Sequence, residues 1–143
     1  VLDLESPIAK RLIEDERFTQ YARENDEGFL VVGFGRLVDR RVGGCGLSFA
    51  EGCGLLENDL RDREKQLDLR LSFWRGFTPG RQLVLLAMAF QLGVPRVLRF
   101  TNFVSALEAR DWRRASREMR DSLWYRRAPA RVERLAKMME AGA

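Results

Sequence analysis

One short segment of this chain reads as a β-hairpin, and everything around it reads as helix. The segment is Asn25-Asp26-Glu27-Gly28-Phe29-Leu30-Val31-Val32-Gly33-Phe34-Gly35-Arg36. Asn25 to Gly28 is turn chemistry, Phe29 to Phe34 is a β-type run, and Gly33 and Gly35 punctuate it. The sequence therefore predicts a mainly helical α+β fold, with a small antiparallel sheet around residues 28–37.

Helix signals frame that hairpin. Ser6 before Pro7 is an N-cap followed by proline at the first helical position, and Ile8, Leu12 and Ile13 keep helical spacing. This helix is expected to reach about Tyr21. Ser48 and Glu51 form a capping box for a long helix through Leu55, Leu56 and Leu60. Thr78-Pro79 opens another that Gly93 stops, with Pro95 beyond. That helix is apolar nearly all round, so Leu83, Leu86, Met88, Ala89 and Phe90 are expected in the core. Thr101 is read as the cap of a short helix, Asp111 as the cap of Trp112 to Met119, and Ala128-Pro129 as the start of the last helix. The expected architecture is one domain over residues 1–143. A small β lobe spans about 22–46 and a helical lobe about 47–143, with a long helix joining or flanking the two and a cleft that could take a ligand.

Composition narrows the chemistry. The chain has no histidine, which removes Ser-His-Asp and Cys-His catalysis and His-ligated zinc. An enzyme built here must work with carboxylates, and no metal or cofactor is expected. Cys45 and Cys53 are expected as reduced thiols. No apolar run reaches the ~20 residues of a membrane span, and no basic-then-apolar leader opens the sequence. Residues 1–95 carry 13 basic and 15 acidic side chains, whereas residues 96–143 carry 12 basic and 6 acidic. The basic half favours an anionic partner such as a bacterial envelope or nucleic acid, or is simply a solvated arginine face. No nucleic-acid motif accompanies it, so no nucleic-acid partner is expected, and the chain reads as a monomer.

The hairpin, with Asp15-Glu16-Arg17-Phe18 ahead of it, resembles the active-site hairpin of phage-type lysozymes, glycoside hydrolase family 24. The resemblance continues through Arg81 to Gly93, Phe100-Thr101-Asn102, and Trp124-Tyr125 with Pro129 and Arg131, in order and at the right intervals. It implies a muramidase of endolysin type that cuts the β-1,4 bond between N-acetylmuramic acid and N-acetylglucosamine in peptidoglycan. Such a protein would sit in the host cytoplasm without a signal peptide and act at the bacterial cell wall once released.

In that family a glutamic acid protonates the glycosidic oxygen, an aspartate helps place water, and a threonine hydroxyl holds that water. Glu16 matches the acid, Asn25 the aspartate and Val31 the threonine. An amide carries no charge and valine has no hydroxyl. Asp26 stands one residue along from Asn25, either as a substitute or as ordinary turn chemistry. Glu27, Leu37, Phe90, Gln91 and Phe100 match positions lining the family's cleft, although Phe90 and Phe100 could equally be core. Arg131 matches an arginine that pairs with the acid. Arg17 departs from the family's glycine, and two further wall positions have become Glu118 and Leu123. The resemblance thus implies weakened turnover. The alternative is an inactive lysozyme-fold module that binds peptidoglycan or a partner, or serves as structure. A third reading leaves residual activity on Glu16 alone.

Overall fold

The computed structural model describes residues 4–16 and 18–143. Arg17 lies outside the described residues, as do the side chains of Ile8 and Glu16. Two compact units partition the chain, Val1–Gly54 and Leu55–Ala143. The fold is mainly helical with one small antiparallel sheet, as the sequence predicts.

In the first unit, α1 (Pro7–Glu16) starts where expected, with the Ser6 hydroxyl accepting the Ala9 amide at 3.2 Å. Its end is a correction. The helix stops at Glu16 rather than near Tyr21, and Thr19–Glu24 forms strand β1. The apolar helical spacing had already lapsed after Ile13, and Thr19 finds its partner, Gly33, far along the chain. Strands β2 (Leu30–Gly33) and β3 (Arg36–Leu37) complete a sheet in the order β1-β2-β3. Arg23 pairs with Val31, Glu24 with Leu30, and Val31 in turn with Leu37. The β2–β3 turn places Gly33 and Gly35 at positive φ, which non-glycine residues rarely adopt.

A buried carboxylate ties the sheet to the chain beyond it. Asp39 is 3% exposed and accepts the Leu30 amide at 3.1 Å and the Arg41 amide at 2.9 Å. The Arg41 guanidinium closes on the same carboxylate and also donates to the Gly28 carbonyl at 3.1 Å. Gly44 passes so close to Asp39 that a Cβ there would lie 2.6 Å from its backbone nitrogen. The capping box forms as expected. The Ser48 amide and hydroxyl donate to Glu51 at 2.8 and 2.7 Å, and Arg36 forms an ion pair with the same carboxylate. Helix α2 (Phe49–Arg70) starts there, and the boundary between units falls within it.

The second unit packs α3 (Pro79–Leu92), α4 (Val94–Leu98), α5 (Thr101–Glu108), α6 (Trp112–Arg120), α7 (Leu123–Arg127) and α8 (Pro129–Ala141) around one core. Trp74, Phe103, Leu107, Met119 and Met139 are fully enclosed there. α3 begins and ends as predicted, between Thr78 and Gly93. Its buried face differs from the expectation. Met88 and Ala89 are buried, but with Val84 and Leu85. Leu83 is 50% exposed, Phe90 is 44% exposed and Leu86 is half-buried. A helix that is apolar all round carries no sequence signal for which face turns inward; neighbouring helices select it.

Of the two remaining expected caps, one forms and the other does not. Asp111 accepts the Arg114 amide at 3.0 Å and caps α6 as expected. Thr101, expected as a cap, is instead the first residue of α5, and Phe100 precedes it without a side-chain cap bond. The five-residue helices α4 and α7 carry too few turns for a periodic signal to mark them. Among the described residues no helix is long and apolar enough to cross a membrane.

Candidate functional site

The hairpin residues singled out by the sequence lie in the first unit. Glu16 is the last residue of α1. Asn25 sits directly after β1, and its side chain is engaged in the turn it introduces. Its Oδ1 accepts the Glu27 amide at 3.1 Å and the Phe29 amide at 2.9 Å. Its backbone closes the same turn, donating to the Phe29 carbonyl and accepting from Gly28, both at 2.9 Å. This is the local chemistry that suits Asn and Asp to turns. A carboxylate could accept both amides equally well, so the amide differs from it here in charge and not in turn geometry.

Asp26 and Glu27 occupy the exposed apex of that turn, and neither side chain has a hydrogen-bond or ion-pair partner among the described residues. Val31 lies mid-strand at 4% exposure, the one buried residue of the three strands. Leu37 is half-buried opposite it, and the Leu37 carbonyl accepts the Cys45 thiol at 3.7 Å. Cys45 and Cys53 are both free and exposed.

The electrostatics of this unit belong to Asp39, which the sequence reading passed over, and to Glu51, which it took only as a capping residue. The Arg41 guanidinium and the Leu30 amide hold the Asp39 carboxyl well below the usual carboxylate range. The Ser48 amide and hydroxyl, with Arg36, hold Glu51 down at about 2. Both carboxylates are therefore fixed acceptors and not proton donors. A signal for the first was present in Asp39-Arg40-Arg41, a carboxylate two residues before a guanidinium at the end of the hairpin.

In the second unit, Phe90, Gln91 and Arg131 line one depression of about 370 Å³, together with Leu83 and Arg134. Phe100 lies apart from them in a second depression of about 400 Å³, between Arg96 and Arg127. The Trp124 indole donates to Gln91 Oε1 at 2.9 Å and so joins the floors of the two. Leu123 lines the second depression, whereas Glu118, half-buried on α6, lines neither. Arg131 is exposed, with no ion-pair partner among the described residues. A further groove of about 450 Å³ runs between Leu56 and Leu60 of α2 and the Leu83, Leu86, Phe90 face of α3. The sequence reading missed it, although the four-residue spacing of Leu56 and Leu60 was its trace. Among the described residues no group of three or more histidine, cysteine or acidic side chains could hold a metal ion.

No protein-family profile matches the chain. It is 27% identical over 159 aligned positions to the pre-baseplate central spike protein Gp5 of Enterobacteria phage T4, covering 94% of this chain and 28% of that protein. It is 25% identical to the probable T4-type lysozyme 1 of Dictyostelium discoideum, covering 90% of this chain and 89% of that protein. A second Dictyostelium protein, probable T4-type lysozyme 2, matches half of the chain at 27% identity. The chain thus spans little more than a quarter of the spike protein but nearly the whole length of the first Dictyostelium protein. With the helical α+β architecture, these relationships make the chain phage-lysozyme-like.

Proposed function

We propose that this chain is a peptidoglycan-directed domain of glycoside hydrolase family 24 type, a muramidase whose turnover is low. Both units, on this reading, serve as one functional domain that acts at the bacterial cell wall. Glu16 takes the place of the general acid. Phe90, Gln91 and Phe100 take places that contact saccharide, with Glu27 and Leu37 on the hairpin side. Support comes from the relationship to T4-type lysozymes along nine-tenths of the chain.

The observation that carries the low turnover is the hairpin itself. Asn25 keeps the turn through two amide-to-Oδ1 bonds but brings no negative charge. Val31 fills its position with packed methyl groups and brings no hydroxyl to hold water. An acid without a charged partner loses stabilisation of the developing positive charge in glycoside cleavage. Removing a group of that kind typically slows a reaction ~10²–10³-fold. The same two observations favour the second reading, a module that retains wall binding without cleavage.

Loss of turbidity from purified peptidoglycan, measured for the natural chain beside Glu16→Gln, tests the proposal. Slow lysis that Glu16→Gln abolishes supports it. Rapid lysis by the natural chain overturns the low-turnover part and points to Asp26 or another carboxylate. No lysis, with retention on insoluble peptidoglycan, selects the binding module. Neither lysis nor retention removes peptidoglycan as the target.

A further inference from the structure

Eight arginine side chains of residues 96–143 have no hydrogen-bond, ion-pair or ring partner among the described residues: Arg96, Arg99, Arg114, Arg117, Arg126, Arg127, Arg131 and Arg134. Two acidic groups of this region are engaged by other cations, while Glu108, Glu118 and Asp121 have no side-chain partner among the described residues, so basic side chains still outnumber acidic ones here. Glu133 is held by Arg120 and Lys137, and Glu140 by Arg113, Arg120 and the Ser116 hydroxyl. Six of the eight sit on α4 or directly after it, at the end of α7 and in the first half of α8, all exposed. Such a cluster works against folding. Like charges repel, and Arg131 stands in the first turn of α8, where the helix dipole disfavours a cation. An anion resting on this surface would relieve both penalties.

The depression among these arginines narrows what that anion is. Arg96 and Arg127 stand over a lining of Leu92, Phe100, Leu123 and Trp124, which is apolar apart from the indole nitrogen. The indole N–H already donates to Gln91, so the polar donors of this depression are the two guanidinium groups. A single nucleic-acid strand held by base stacking would need an open aromatic face. Trp124 is only 5% exposed, and Phe100 is half-buried. Leu123, in contrast, is 53% exposed and lines the same depression as Arg96 and Arg127. Guanidinium forks beside an apolar lining that includes an exposed aliphatic side chain match an amphiphile with an anionic head. From this geometry we infer that the arginine face of α4, α7 and the start of α8 docks on an anionic phospholipid surface. Arg96 and Arg127 hold phosphate groups, and Leu123 enters the headgroup–acyl boundary. This is peripheral attachment, and it does not depend on cleavage of any glycan.

Co-sedimentation of the full chain with vesicles tests it, with no peptidoglycan present. One vesicle set is phosphatidylcholine alone, and the other contains a third phosphatidylglycerol. The expected result is binding to the anionic set only, weakened by added salt. The double variant Arg96→Gln, Arg127→Gln should bind about thirtyfold more weakly. Leu123→Ser should weaken binding severalfold without changing the salt dependence. A matched pair on α2, Arg61→Gln with Arg63→Gln, should bind as the natural chain does, and circular dichroism of all variants confirms that they fold. Equal loss from the α2 pair would overturn the proposal, because net charge alone would then suffice. Tighter binding to a single-stranded oligonucleotide than to the anionic vesicles, insensitive to Leu123→Ser, would overturn it in favour of a nucleic-acid partner. No binding to anionic vesicles at low salt would refute it outright and leave the proposed wall activity untouched.

Discussion

Asn25 and Phe29 are joined twice: the Phe29 amide donates to Asn25 Oδ1 at 2.9 Å, and the Asn25 amide donates to the Phe29 carbonyl at 2.9 Å. The side chain at position 25 therefore supports the hairpin whatever else it does. Asn25→Asp should preserve the hairpin, because a carboxylate accepts the same two amides. Asn25→Ala should loosen it, because both acceptor bonds vanish. Amide exchange at Phe29 checks this: protected in the natural chain and in Asn25→Asp, faster in Asn25→Ala.

Charge restored at position 25 should matter more for turnover than for folding. On the muramidase reading, Asn25→Asp with Val31→Thr should raise the rate of peptidoglycan cleavage by up to ~10²–10³. Adding Glu16→Gln should then abolish it. No gain in the double variant would favour the non-catalytic module.

Val31 makes that experiment asymmetric. It is 4% exposed, so Val31→Thr places a hydroxyl in a packed strand. Without a new partner for that hydroxyl, the cost is about 1–3 kcal/mol. Chemical denaturation of the single variants should show Val31→Thr destabilised and Asn25→Asp close to the natural chain. A neutral Val31→Thr would mean that a partner for the hydroxyl already exists.

The first unit should be acid-sensitive. Asp39 and Glu51 both have folded-state pKa values held below their ordinary ones, by Arg41 and Leu30 in one case and by Ser48 and Arg36 in the other. A carboxylate lowered in this way contributes stability above its unfolded pKa and loses it as pH falls through the folded value. For Glu51 that window runs from 4.5 down to about 2. Asp39 extends the loss to lower pH still. Amide exchange at Leu30 and Ser48 should accelerate as pH falls through this range, once corrected for intrinsic rates. Asp39→Asn should release Leu30 even at neutral pH, because an amide presents N–H groups to Arg41.

α3 separates buried from merely apolar. Leu85→Ala or Met88→Ala should cost about 2–5 kcal/mol, since both side chains are fully enclosed. Leu83→Ala, at half exposure, should cost about 1 kcal/mol or less. Thermal melts of the three variants check the ordering, and equal losses would mean that the Leu83 face is covered in solution.

The sequence by itself determined whatever is decided within one or two turns of chain. Ser6, Ser48, Thr78 and Asp111 each bond an amide three residues ahead, so the starts of their helices were legible. Gly28, Gly33 and Gly35 take positive φ, so the hairpin turns were legible too. The pattern of Glu16, Asn25, Val31 and the glycines carried the lysozyme-like relationship. Tertiary structure decided what depends on distant partners. Thr19–Glu24 is a strand because β2 lies beside it, although the local sequence ran on from a helix. Val84 and Leu85 are buried while Leu83 and Phe90 are not, because the surrounding helices select one face of an all-apolar cylinder. Asp39 could not be read as a buried acceptor without Leu30 and Arg41 folded around it. The arginines of the last third were plain as a count. Only the packing of α4, α7 and α8 determined which of them found carboxylates and which were left facing outward. Charge pairing is a matter of a few ångströms, and chain order does not fix such distances.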